Sequence, residues 1–144
     1  MALSSLALAQ RGTANAEISG KKIEVEYGRP SLQGRDMISQ LPVGGTWRMG
    51  MNAATTLKTD GTLSFGDTQI KPGTYTLTAK KATEDKWHLV FKSDDASTEV
   101  PLMNGKVDEM VEQFTINLDS VGGNKGVFSM AWGSLSVGAQ FSVD

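Results

Sequence analysis

Cysteine is absent from the 144-residue sequence, which removes disulfides, thiolate metal centres and cysteine nucleophiles together. Histidine occurs once, at position 88. It is flanked by Lys86 and Lys92 on the polar side of an alternating run, so it reads as a surface residue. A catalytic base needs a partner within geometric reach before its basicity matters. One histidine without cysteine would also leave a zinc ion to carboxylates alone. Asp94, Asp95 and Glu99 lack the alternating ligand spacing of a calcium loop and read as a solvated acidic loop. The glycine pairs at 44–45 and 122–123 open no helix, so neither forms a phosphate cradle. No apolar run is long enough to cross a bilayer as a helix. The formal net charge is −2 with both signs interspersed, which argues against nucleic acid and anionic membranes as partners. These readings leave no catalytic residue, no metal and no cofactor to assign.

What is present is pattern. Hydrophobic residues make up 39% and charged residues 21%, a globular balance, and the length fits one domain over residues 14–144. The 16 glycines fall mostly between apolar alternating runs, as in an all-β chain with many tight turns. Period-two alternation predicts strands over 14–19, 22–28, 54–59, 62–65, 74–79, 86–92 and 112–119. A short edge strand at Val100 and Leu102 carries Pro101, which cannot donate to a ladder. Two further strands put Phe128, Met130 and Trp132, then Leu135, Val137, Ala139, Phe141 and Val143, on their inner faces. Asp60-Gly61 is the strongest hairpin signal, joining 54–59 to 62–65, and Lys71-Pro72-Gly73-Thr74 fits a type II turn. Residues 30–45 break the β pattern, and Asp36 can cap a short helical turn that Pro42 ends. The expectation is an antiparallel β-sandwich of about nine to ten strands with one short helical turn. A closed barrel is the alternative, disfavoured because an up-and-down barrel contains only hairpins.

The N-terminus bears on compartment. Ala7-Leu8-Ala9 has the A-x-A form of a signal-peptidase site within a small, apolar segment, although no basic region precedes it. Residues 1–12 read as the remnant of a secretory signal, with a frayed terminus as the plainer alternative. The domain is therefore expected to be periplasmic or secreted.

One stretch organises the chain: Gly45-Thr46-Trp47-Arg48-Met49-Gly50-Met51-Asn52-Ala53-Ala54-Thr55-Thr56. Read as a strand, it points Trp47, Met49 and Met51 one way and Arg48, Gly50 and Asn52 the other, leaving a slot with donors on both lips. Three of the four arginines, Arg29, Arg35 and Arg48, lie within twenty positions, whereas the lysines spread over outer faces. Arginine suits places where a planar, multi-donor group is held or binds a carboxylate or phosphate. Tyr27, Arg29, Arg35, Arg48, Asn52 and Thr55 are the candidate ligand-binding residues. They form either a site for a small anionic or polyhydroxyl ligand, or an internal scaffold that satisfies loop carbonyls. The scaffold is favoured, because buried polar loops must be satisfied whatever the function. A weaker third reading is a hydrolase using Tyr27 with a carboxylate such as Glu26.

Val25-Glu26-Tyr27-Gly28-Arg29-Pro30, then Gly34-Arg35, then the 46–56 stretch, then Pro72-Gly73-Thr74-Tyr75, resemble the bacterial DUF2911 family. The resemblance runs from about residue 14 to the C-terminus. The family's central pattern, Val-Trp-Arg-Thr-Gly-Ala-Asn-Glu-Ala-Thr-Thr, is matched here at its Trp, Arg, Gly, Asn, Ala and both Thr positions. Ala53 stands where that pattern has Glu, so chemistry resting on that acid could not be repeated here. The resemblance implies an exported, compact β domain and supplies no activity, substrate or catalytic residue. Export carries a direct test. Mass spectrometry of exported material should show a new N-terminus at Gln10, and retention of residues 1–9 would remove the argument.

Overall fold

The computed structural model describes residues 11–28, 42–47, 49, 55–83, 86–94, 96–105 and 111–144. Among them are twelve strands and no helix: β1 (Arg11–Ile18), β2 (Lys21–Gly28), β3 (Thr46–Trp47), β4 (Thr55–Thr59), β5 (Leu63–Phe65), β6 (Thr68–Ile70), β7 (Gly73–Thr83), β8 (Lys86–Ser93), β9 (Ala96–Asn104), β10 (Val111–Gly122), β11 (Lys125–Gly133) and β12 (Leu135–Val143). All pairings are antiparallel. The strand that alternation did not predict is β6, a piece of three residues too short to carry a period of its own. The expected helical turn falls largely on residues 29–41, outside the described residues.

The strands join in the order β1-β2-β4-β7-β8-β9-β12-β11-β10. β9 follows β8 from Ala96 to Leu102 and then meets β12 at Met103 and Asn104, so one sheet continues round the corner. Its end strands, β1 and β10, lie against each other without ladder pairing. The two layers expected of a sandwich are thus two sides of one curled, nearly closed sheet. Pro101 sits opposite His88, on a strand whose other flank pairs β12 only beyond it, so the edge placement holds.

Alternation builds the core. Ile23, Val25 and Tyr27 of β2 are buried while Lys22, Glu24 and Glu26 face out. Trp87, Leu89 and Phe91 of β8, and Phe128, Met130 and Trp132 of β11, point into the same interior. Near-closure gives every strand one wet face and one dry face, which is why the period of two is legible throughout.

Two turn expectations are corrected. Asp60-Gly61 makes no hairpin, because β4 is flanked by β2 and β7 and has no free side for β5. The Thr59 hydroxyl instead donates to the Gly61 carbonyl and accepts from its N–H, and the chain crosses to pair β5 with β12. The true hairpin there is β5–β6, turning through Gly66-Asp67 with Gly66 at φ 61°. Gly73 has φ 151° rather than the roughly +80° of a type II turn, and is already the first residue of β7. Asp94 belongs to a tight β8–β9 connection, and Glu99 is a strand residue opposite Val90 rather than part of an acidic loop.

Close approach of strands generates a stability prediction. A Cβ on Gly138 would lie 2.8 Å from the Phe128 carbonyl oxygen, a backbone atom of the adjacent β11 that cannot swing aside. Gly138→Ala is expected to destabilise by about 1–3 kcal/mol in urea denaturation, the usual cost of overpacking.

Candidate functional site

The registers place several strand ends together. β2 finishes beside the start of β4, β3 lies across Ala79 and Lys80 of β7, and Lys81 of β7 faces Trp87 near the start of β8. β10 begins opposite Gly133, where β11 ends. All three tryptophans of the sequence meet at this rim. Trp47 stacks on Trp132 with centroids 5.5 Å apart and planes 10° from parallel. It also lies edge-on to Phe114 at 4.9 Å and to Trp87 at 6.2 Å. Tyr27 meets Phe114 edge-on at 5.5 Å. Edge-to-face and offset contacts of this kind add to simple burial because the ring edge is positive and its face negative. The Trp132 indole N–H donates to the Glu112 carbonyl at 3.1 Å.

The motif is not the continuous strand that its alternation predicts. β3 stops at Trp47, and Met49 bends with φ 59°, a left-handed backbone that is rare for a long side chain. Met49 is nevertheless completely buried. The Thr55 hydroxyl, itself buried, donates to the Met49 carbonyl at 2.7 Å and ties the bend to the start of β4. The turn ahead of β3 is held to β7: Gly44 N–H donates to the Lys81 carbonyl, and Lys81 N–H to the Gly45 carbonyl. Lys81 is a buried and engaged cation beside the ring cluster.

Of the six candidate residues, the described part contains Tyr27 and Thr55; Arg29, Arg35, Arg48 and Asn52 lie outside it. Tyr27 and Thr55 stand at the same rim, and both hydroxyls bond to backbone groups. Tyr27 is 3% exposed. Its hydroxyl accepts from the Ile116 N–H at 3.0 Å and also lies 3.4 Å from the Ile116 carbonyl oxygen as donor. Glu26 is exposed on the opposite side of the sheet, so Tyr27 and Glu26 share no side on which to act as an acid–base pair. The tryptophan and phenylalanine partners were each legible as inner-face residues, but no local signal showed that β3 would bring Trp47 to the β10–β11 hairpin that carries Phe114 and Trp132.

His88 lies on the outer face, as its alternation indicates. Its Nδ1 is 3.0 Å from Glu99, whose other oxygen is 3.6 Å from Lys80 Nζ. The hydrogen bond from His88 holds the Glu99 carboxyl below its ordinary range, with the Lys80 charge adding to the effect. Among the described residues no group of three His, Asp or Glu could hold a metal ion, and no helix is long and apolar enough to cross a membrane.

Fold and rim together define an antiparallel, nearly closed β domain with a tryptophan-lined end. The chain belongs to the family of proteins of unknown function DUF2911, whose model it matches over residues 9–141. No curated protein and no solved structure matches it.

Tyr27 gives the sharpest test of the rim. Tyr27→Phe keeps the ring against Phe114 but leaves the buried Ile116 N–H without its acceptor. A loss of about 1–3 kcal/mol is expected, together with faster amide exchange at Ile116. Unchanged stability and exchange would show that the hydroxyl is dispensable.

Proposed function

We propose that this is an exported, non-catalytic structural or interaction domain, in which Trp47, Met49 and Thr55 of the motif help to close one end of the curled sheet. The observation that carries this reading is the engagement of Tyr27 and Thr55. Both are buried, and both bond to the chain's own peptide groups rather than to open space. A residue that binds ligand keeps polar capacity in reserve, whereas these hydroxyls spend theirs on Ile116 and Met49. The left-handed Met49 is a conformation that costs on the order of 1 kcal/mol and persists only where its surroundings enforce it. Thr55 is the visible enforcer, which gives the Thr at that motif position a structural reason. Export is part of the proposal and rests on the A-x-A form of Ala7-Leu8-Ala9.

A second reading has one observation in its favour. Trp47 is only half-buried, so the stacked pair presents an aromatic edge at the rim, a surface that suits the second reading of the motif as a binding module for a small anionic or polyhydroxyl ligand.

Denaturation of the ligand-free protein separates the two. If the motif is scaffold, Arg48→Ala loses more than about 2 kcal/mol, far outside the range of surface substitutions. Arg48→Lys then recovers little, because a point charge does not replace a planar fork. Wild-type stability in both variants would overturn the scaffold reading in favour of the ligand site.

A further inference from the structure

The opposite end of the molecule holds a cleft that the motif does not touch. It lies between the β6–β7 connection and the tip of the β8–β9 hairpin, encloses about 590 Å³, and is walled by Tyr75, Gln69, Lys71, Ser93, Asp94 and Thr98. We propose that this cleft is a saccharide-binding site, taking one or two sugar rings against Tyr75.

Tyr75 is on the inward face of β7, but at its mouth. Leu77, the next residue on that face, is wholly buried, whereas Tyr75 is only partly buried. Its ring is fixed twice: the hydroxyl donates to the Lys71 carbonyl at 2.7 Å, and the ring stands at 87° to Phe91 with centroids 6.0 Å apart. A rigid aromatic wall meets the C–H face of a sugar with little conformational entropy to lose on binding. Around it, the side chains of Gln69, Lys71, Ser93, Asp94 and Thr98 make no hydrogen bond or ion pair with the described residues. An amide, an ammonium, a carboxylate and two hydroxyls thus line the cleft with hydrogen-bonding capacity that no described residue takes up.

That set selects the chemical class. A simple anion attracted by Lys71 would be repelled by Asp94, and these two opposite charges are not paired with each other. An apolar ligand would strip water from polar groups and give them nothing in exchange. A polyhydroxyl ligand serves both charges, since each sugar hydroxyl donates to a carboxylate or accepts from an ammonium. The volume lies within the usual range for small-molecule sites.

The test is an amide chemical-shift titration of the full chain with maltose, cellobiose and N,N′-diacetylchitobiose, with inorganic phosphate in parallel. At least one disaccharide should give saturable shifts at Gln69, Tyr75, Asp94 and Thr98. Tyr75→Ala should weaken binding roughly tenfold, the upper end for one aromatic contact, while Tyr75→Phe retains most of it. Thr98→Ala, on the hairpin surface, should weaken binding with no change in fold. The proposal is overturned if none of the three sugars gives saturable shifts. It is equally overturned if phosphate alone saturates these residues, or if the sugars shift Trp47 and Trp132 instead.

Discussion

A curled sheet that stops short of closing has a seam, and here one hydroxyl bridges it. Ile116 lies on β10, the last strand of the order, and its N–H is bonded to a side chain rather than to another strand's backbone. Tyr27 reaches there from β2 and serves the N–H and carbonyl of that one residue. A buried strand edge without such a partner would leave peptide groups desolvated and unpaired, at a cost comparable to that of the packing it accompanies. Everything inside the sheet depends on that edge staying shut, because the core side chains of β1 and β10 face each other across it.

The two ends of the molecule are finished differently. At one, the β5–β6 hairpin lies over the opening, with Phe65 against Phe91 and Phe141. Thr62 and Asp144 exchange backbone hydrogen bonds beside it. At the other, Trp47 and Met49 fill the opening as a bent segment rather than a hairpin. Tight turns such as Ser19-Gly20 and Gly123-Asn124 gather at the first end.

Strand faces were legible because a half-wet sheet writes its geometry into the sequence with a period of two. Val25 and Tyr27 alternate with Glu24 and Glu26, and they are buried and exposed accordingly. Where alternation misled, another constraint had taken over. Trp47, Met49 and Met51 share a period, yet the chain bends at Met49, whose carbonyl Thr55 captures. Asp60-Gly61 carries hairpin chemistry, but pairing needs a vacant neighbour as well as a turn, and β4 has none. The ring cluster was invisible for a related reason: Phe114 and Trp132 share the β10–β11 hairpin, but Trp47 of β3 reaches them through sheet curvature and not through any local signal. Of the arginine cluster, the sequence showed which residues were unusual but not what they face.

The seam also orders the assembly of the chain in time. β1–β2, β7–β8–β9 and β10–β11–β12 are joined by short turns and can pair from local contacts. The Tyr27–Ile116 bond spans 89 positions. Contacts of such separation form late, because the loop entropy must be overcome before they add anything in return. Until then, β1 and β10 are bare edges. The outer side of β10 bears Asn117 and Asp119, and that of β1 bears Thr13, Asn15 and Glu17. Polar and acidic side chains on an edge discourage pairing with another molecule. The same strands that wait longest for each other are thus the ones dressed to avoid strangers.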